Sequence, residues 1–116
     1  MEKLERGFLY IAFGEAFTKE ALMSIKSLKR FNNEPVALFT DREQDGTFEG
    51  LVDLYAKIEP KHIRAKVDFI SQSPFKKTIY LDSDTLIVRN ISDMFEILER
   101  FDVGLVMQEK EQNTLK

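Results

Sequence analysis

Gly7-Phe8-Leu9-Tyr10-Ile11-Ala12-Phe13 is the stretch on which the fold turns. It is short, aromatic and β-branched, and it does not alternate. A strand covered on both faces has no need to alternate, so the run reads as a buried strand. Gly14 and Glu15 break it. From Thr18 the period changes. Leu22, Ile25, Leu28 and Phe31 recur every three residues with Ala21 beside them, which predicts the apolar stripe of a helix. Lys29 and Arg30 fall where positive charge favours a helix C-terminus, and Asn32-Asn33 ends it. Val36–Thr40 (VALFT) is a second buried strand, stopped by Asp41.

Outward from this unit the alternation continues. Residues 41–50 are polar with two glycines, hence a loop, and 51–58 reads as helix tail or strand. Residues 61–73 carry Ile63, Val67 and Ile70 at helical spacing, and Pro74 terminates them. Residues 78–88 (TIYLDSDTLIV) are strand-like. Asn90 or Ser92 caps a third helix with the stripe Met94, Ile97, Leu98 and Phe101. Residues 102–107 form a last strand, and 108–116 a frayed tail. Alternating β and α elements predict a single α/β domain over residues 1–116. Its sheet is open, mostly parallel and Rossmann-like, with helices on both faces. Ligands of such sheets bind outside the carboxyl ends of the strands.

Composition limits the function classes. The chain has 116 residues, enough for one core. Seventeen Lys and Arg against twenty Asp and Glu leave a net charge of −3. Nucleic acid and anionic lipid therefore have no bulk electrostatic attraction for it. Cysteine is absent, which removes disulfides, thiolate metal sites and cysteine nucleophiles. No apolar run is long enough for a membrane span and no signal peptide is visible, so a cytoplasmic protein is expected. No P-loop, GxGxxG, HExxH or GxSxG pattern is present.

The chemically informative segment is Ile79-Tyr80-Leu81-Asp82-Ser83-Asp84-Thr85-Leu86-Ile87-Val88. Aspartate is a poor strand residue, yet two of them interrupt an apolar run. In extended backbone Asp82 and Asp84 share a face and Ser83 points the other way. Carboxylates about 6 Å apart repel by roughly 3 kcal/mol at an effective dielectric of about 20. A hard divalent cation would offset that repulsion and recruit substrate phosphates as further ligands. The competing reading is a solvated Asp-Ser-Asp turn with no chemistry.

Tyr80-Leu81-Asp82-Ser83-Asp84-Thr85, preceded by Ser73-Pro74-Phe75 and followed by residues 90–95 (NISDMF), resembles the DxD region of nucleotide-diphospho-sugar glycosyltransferases. It is similar in particular to the glycogenin-like group, family 8 and its relatives, with the GT-A fold. Residues 8–21 (FLYIAFGEAFTKEA) look like that family's first strand and nucleotide loop. Lys66, sixteen residues before Asp82, stands where the family carries a basic residue. The resemblance implies a UDP-sugar donor, an unknown acceptor, and a Mn²⁺ or Mg²⁺ ion bridging the diphosphate. Asp84 would bind the metal. Asp82 would share it or hold the ribose, with Ser83 between them in the donor site. Ala12 and Phe13 would line the base pocket, Phe17 would pack on the uracil, and Asp41 would touch the nucleoside. Lys66 would neutralise diphosphate charge, with Arg64 and Lys57 as poorer candidates. No catalytic residue is assigned.

The family's domain continues beyond this strand into an acceptor-binding half, including a histidine that completes the metal site. Only 32 residues follow Asp84 here, without a histidine, and the single His62 matches nothing in the family. The expectation is a nucleotide-sugar-binding portion that binds its donor more readily than it turns it over. A second copy or a complementary chain would cover the open sheet. The alternative is a GT-A-like binding module without catalysis. A phosphatase of the haloacid-dehalogenase type fits less well, since Leu86 stands where that class wants Thr or Val. A nucleotidyltransferase lacks its glycine-rich, arginine-containing loop, because residues 13–16 offer one glycine.

Overall fold

The computed structural model describes residues 3–59, 70, 72–99 and 103–106. The chain runs β1 (Leu4–Ala12), α1 (Glu15–Lys29), β2 (Val36–Thr40), β3 (Leu54–Lys57), β4 (Phe75–Leu81), a 3₁₀ segment (Ser92–Glu99) and β5 (Val103–Val106). The strands form one open, all-parallel sheet in the order β3-β2-β1-β4-β5. Ala12 pairs with Thr40 and Leu9 with Tyr80, so β1 is central and its carboxyl end is flanked by those of β2 and β4.

The burial of β1 follows its lack of alternation. Phe8, Tyr10 and Ala12 join a core with Val36, Leu38, Ile79 and Leu81 beneath α1, while Leu9 and Ile11 join Ala37, Phe39, Phe75 and Tyr80 on the other face. Each of the valine, leucine, isoleucine and phenylalanine side chains contributes roughly 1.5–3 kcal/mol by leaving water. Among the described residues, α1 and the 3₁₀ segment lie on the first face; Phe13, Ile58 and Ile70 pack on the second. The helix expected over 61–73 lies outside the described residues, except for Ile70 and the non-helical residues 72 and 73. So do the tail and the side chains of Ile97, Leu98 and Phe101.

Several boundaries differ from expectation. β1 begins at Leu4 rather than Gly7 and ends at Ala12, and α1 begins at Glu15 rather than Thr18. Of the expected stripe, Ala21, Ile25 and Leu28 are buried and Leu22 packs half-buried against the core, while Phe31 falls outside it and Ser24 and Ser27 are buried in addition. Nine residues are about two and a half turns, so Leu22 and Phe31 stand on opposite sides of a helix. Phe31 is 45% exposed. Serines replace part of the apolar stripe because they have partners: Ser24 Oγ lies 2.7 Å from the Tyr10 hydroxyl, and Ser27 Oγ donates to the Ser24 carbonyl at 2.7 Å. Residues 54–57 resolve the ambiguous tract as a strand. The last helical tract is 3₁₀; among its described side chains Phe95 is buried and Met94 half-buried, and Ile91 is buried just ahead of it. Asn90 Oδ1 accepts the Ser92 N–H at 2.9 Å at its start. The Phe95 ring packs against Phe8, centroids 5.2 Å apart, beneath the Arg6 guanidinium. Among the described residues no helix is long and apolar enough to cross a membrane.

Burial drives the Tyr10 phenol pKa upward, with the Ser24 hydrogen bond opposing the shift. A group whose folded pKa exceeds its unfolded value, about 10 for tyrosine, leaves stability intact below pH 10. Stability is lost as pH rises beyond it, because only the unfolded state releases the proton. Urea unfolding followed between pH 8 and 11.5 should show a fall approaching about 1.4 kcal/mol per pH unit per such phenol above pH 10. Tyr10→Phe should remove one phenol's share of that slope, and an unchanged slope would contradict the assignment.

Candidate functional site

All five strands point the same way, so their carboxyl ends form one rim. From β1 the chain moves outward through β2 to β3, then crosses to β4 on the opposite side of β1. The order reverses between β1 and β4, and such a reversal opens a crevice at the carboxyl ends of the two strands. Residues 12–14 stand on one side of it and residues 82–85 on the other.

The β1 side is held by Gly14. Its φ of +88° with ψ of 162° belongs to a region that side chains rarely enter, and it lets the chain turn from strand into helix. Both ends of this residue are fixed. Its N–H donates to Asp41 Oδ1 at 3.0 Å, and its carbonyl accepts the Thr18 hydroxyl at 2.6 Å. Thr18 Oγ1 also lies 3.3 Å from Thr40 Oγ1. Asp41 thus ties the end of β2 to the start of α1.

Beside Asp41 lies an open cleft of about 600 Å³, lined among others by Thr18, Leu22, Phe48, Tyr55 and Lys57. Phe48 and Tyr55 meet there with centroids 6.1 Å apart. The Tyr55 hydroxyl donates to the Arg42 carbonyl at 2.9 Å, and burial raises its pKa. Two ion pairs border the cleft, Lys19–Glu15 at 3.3 Å and Lys57–Glu43 at 3.1 Å. The hydrogen bond to Glu43 pushes the Lys57 pKa up, and the hydrogen bond from Thr47 holds the Asp45 carboxyl below its usual range.

On the other side the structure corrects the expected geometry. β4 runs from Phe75 to Leu81 and stops. Residues 82–85 form a turn closed by the Thr85 N–H donating to the Asp82 carbonyl at 3.1 Å. Asp82 and Asp84 therefore do not share a face of extended backbone, and the strand expected over 78–88 ends before its carboxylates. Aspartate is favoured at the first position of such a turn. Ser83 is buried, and its hydroxyl donates to Glu20 Oε1 on α1 at 3.3 Å, drawing the turn over the helix. Beyond it the Ile87 N–H donates to Ser27 Oγ at 3.0 Å, so residues 83–87 follow α1. Asp82 and Asp84 remain partly exposed at the rim.

Two buried hydroxyls bracket this turn without a hydrogen-bond partner, those of Tyr80 and Thr85. Burial raises the Tyr80 pKa, and the Asp82 carboxylate adds to the shift ahead of Asp84. The donor set around the turn is all oxygen, which fits a hard cation. Among the described residues no third carboxylate or histidine gathers with these two. A cation at Asp82 and Asp84 would take its other ligands from water or phosphate.

The other expected site residues are distributed as follows. Ala12 is buried beneath α1, leaving its backbone at the rim, and Phe13 is half-buried at the end of β1. Phe17 is 55% exposed near the start of α1. Lys66, Arg64 and His62 lie outside the described residues. The structure thus brings Ala12, Phe13, Asp41, Asp82, Ser83 and Asp84 to one rim. It adds Glu20, Tyr80 and Thr85, which sequence reading passed over; Tyr80 and Thr85 carried a signal as polar groups inside the apolar flanks of the carboxylates.

No family model and no curated protein matches this chain.

Proposed function

We propose that this chain is the nucleotide-sugar-binding portion of a metal-dependent glycosyltransferase, with a GT-A-like, Rossmann-type sheet and a UDP-sugar as its donor. The observation that carries the reading is the reversal of strand order between β1 and β4, which sets Asp82 and Asp84 across one crevice from Phe13 and Gly14. Asp84 and Asp82 hold a Mn²⁺ or Mg²⁺ ion. When bound, that ion stabilises the charge developing on the leaving diphosphate. Gly14 and Asp41 position the nucleoside end of the crevice, where the cleft beside Asp41 has room for a base or ribose. Phe13 and Phe17 supply apolar surface for the base, and Lys66 supplies positive charge for the diphosphate.

Calorimetric titration of UDP, with and without Mn²⁺, tests the proposal. Wild type should bind UDP at least tenfold more tightly with Mn²⁺ present, and Asp84→Ala should abolish that gain. A gain surviving in the variant, or no Mn²⁺ effect in wild type, would refute it.

A further inference from the structure

Among the described residues seven large apolar side chains stand exposed, and four of them, Met23, Phe31, Leu86 and Val88, lie along one seam. The seam is where residues 83–90 run beside α1. Three hydrogen bonds close it: Ser83 to Glu20 at 3.3 Å, the Ile87 N–H to Ser27 Oγ at 3.0 Å, and Asn90 Nδ2 to the Phe31 carbonyl at 2.8 Å. Thr85 and Ile87 are buried, whereas Leu86 and Val88 are each 68% exposed, the alternation of an extended chain with one face outward. Met23 lies about one turn before Ser27 on α1 and is 65% exposed. Apolar side chains scattered singly over a surface are ordinary, but a cluster marks a contact face.

Cations edge the same face. Lys26 stands three residues after Met23 and Arg30 three after Ser27, so both share its stripe of the helix, and both are exposed. Arg89 follows Val88, is exposed, and donates to the Asn90 carbonyl at 3.1 Å. The other lysines of α1 have counter-ions, Lys19 in Glu15 and Lys29 in Asp53. Lys26, Arg30 and Arg89 form no salt bridge among the described residues.

We propose that this seam docks on an anionic lipid bilayer: the tips of Met23, Leu86 and Val88 enter between headgroups, and Lys26, Arg30 and Arg89 meet their phosphates. Apolar insertion and electrostatic attraction to anionic lipid act together at such a face. The apolar tips project from a convex helix face, which a bilayer accepts without a shaped groove. A second copy fits poorly, because a two-fold contact brings the same patch against itself and sets cation against cation. The net charge of −3 does not oppose docking, since charges more than about 8 Å away are largely screened at physiological salt. The start of α1 lies at the rim and the seam runs away from it along the helix, so a docked chain keeps its crevice open. The proposal stands whether or not a nucleotide sugar binds there.

Cosedimentation of the full chain with large unilamellar vesicles is the test. One set of vesicles is phosphatidylcholine alone, and the other is equal parts phosphatidylcholine and phosphatidylglycerol. Wild type should pellet with the mixed vesicles, less so as salt rises, and stay in solution with the neutral ones. Lys26→Glu/Arg30→Glu should cut partitioning at least about tenfold. Met23→Ser/Leu86→Ser, which leaves the charge untouched, should cut it by about as much. All four positions are exposed, so both variants should keep the circular dichroism spectrum and urea midpoint of wild type. Wild type ignoring both kinds of vesicle, or binding that survives both double substitutions, would overturn the proposal. So would capture by immobilised polyglutamate in place of vesicles, which would assign the face to an acidic protein. A dimer that Met23→Ser/Leu86→Ser dissociates, with no vesicle binding, would overturn it in favour of a second copy.

Discussion

Asn32→Ala should destabilise the protein by about 3–4 kcal/mol, a large share of the roughly 5–15 kcal/mol that holds a domain of this size together. Asn32 is buried, and its amide serves three stretches of chain at once. Nδ2 donates to the Leu28 carbonyl at 3.1 Å and to the Arg89 carbonyl at 3.3 Å. Oδ1 accepts the Ile91 N–H at 2.8 Å and the Ser92 hydroxyl at 3.4 Å. Donor and acceptor ends face complementary groups, so the amide has one workable orientation. Alanine would leave the buried Ile91 N–H without an acceptor and the Arg89 carbonyl without its Asn32 donor, at about 1–3 kcal/mol for each buried group left unsatisfied, while the Leu28 carbonyl keeps the backbone N–H groups of Phe31 and residue 32. The segment that Asn32 anchors carries Ile91 and leads into Phe95, both part of the core under α1. Urea denaturation measures the loss. Asn33→Ala, at the exposed neighbouring position, should stay within about 0.5 kcal/mol of wild type. Asn32→Asp should not rescue, and its charge would also stand at a helix C-terminus, where the macrodipole disfavours it. It keeps the acceptor but sets a carboxylate against two carbonyl oxygens. A loss below 1 kcal/mol in Asn32→Ala, or full stability in Asn32→Asp, would show that the residue acts only through local propensity.

Asn32 also marks what sequence pattern can and cannot carry. The Asn32-Asn33 pair is legible as a helix stop, but partners 57 to 60 residues away are not. The same division runs through the site. Asp82 and Asp84 stand out because carboxylates interrupt an apolar run, and the alternating elements place them at a strand end. Whether the strand continues through them is settled by the Thr85–Asp82 turn bond and by Ser83 reaching Glu20, 63 residues away in sequence. Asp41 is legible as the residue that stops β2, whereas its grip on the Gly14 N–H depends on β1 and β2 being neighbours in register. Parallel pairing itself was predictable from the alternation, since each strand is followed by more chain than a hairpin needs. The stripe on α1 holds for Ala21, Leu22, Ile25 and Leu28 and fails at Phe31, because a strict three-residue repeat drifts around the helix. The buried serines opposite Tyr10 and Ile87 show the face that geometry selects.

Gly7→Ala should cost about 3 kcal/mol, against the direction local chemistry gives. Replacing glycine by alanine within a strand ordinarily helps, by about 0.4–1 kcal/mol, because the unfolded chain has less freedom to lose. Here the Cβ has no room. It would overlap Cε1 and Cζ of the Phe75 ring and stand 2.7 Å from Cδ1. The ring cannot retreat easily. Phe75 is 1% exposed, packs in the core with Leu9, Ile11 and Phe39, and has its own N–H held by Ser73 Oγ at 3.1 Å. Relief must come from moving β1 away from β4, yet Gly7 pairs with Thr78 within a ladder running from Leu4–Phe75 to Leu9–Tyr80. Overpacking of this kind costs about 1–3 kcal/mol where neighbours yield, and more where they are backbone-locked. A double-mutant cycle isolates the clash. Phe75→Leu shortens the offending side chain, so Gly7→Ala/Phe75→Leu should be more stable than the sum of the single losses by at least about 1 kcal/mol. Additive losses, or a Gly7→Ala protein as stable as wild type, would rule the clash out. The consequence reaches the rim, because the ladder that Gly7 keeps closed also sets Tyr80 and Asp82 beside the end of β1. A Gly7→Ala chain that still folds should therefore bind UDP with Mn²⁺ more weakly than wild type, while Gly7→Ala/Phe75→Leu recovers part of that affinity along with its stability.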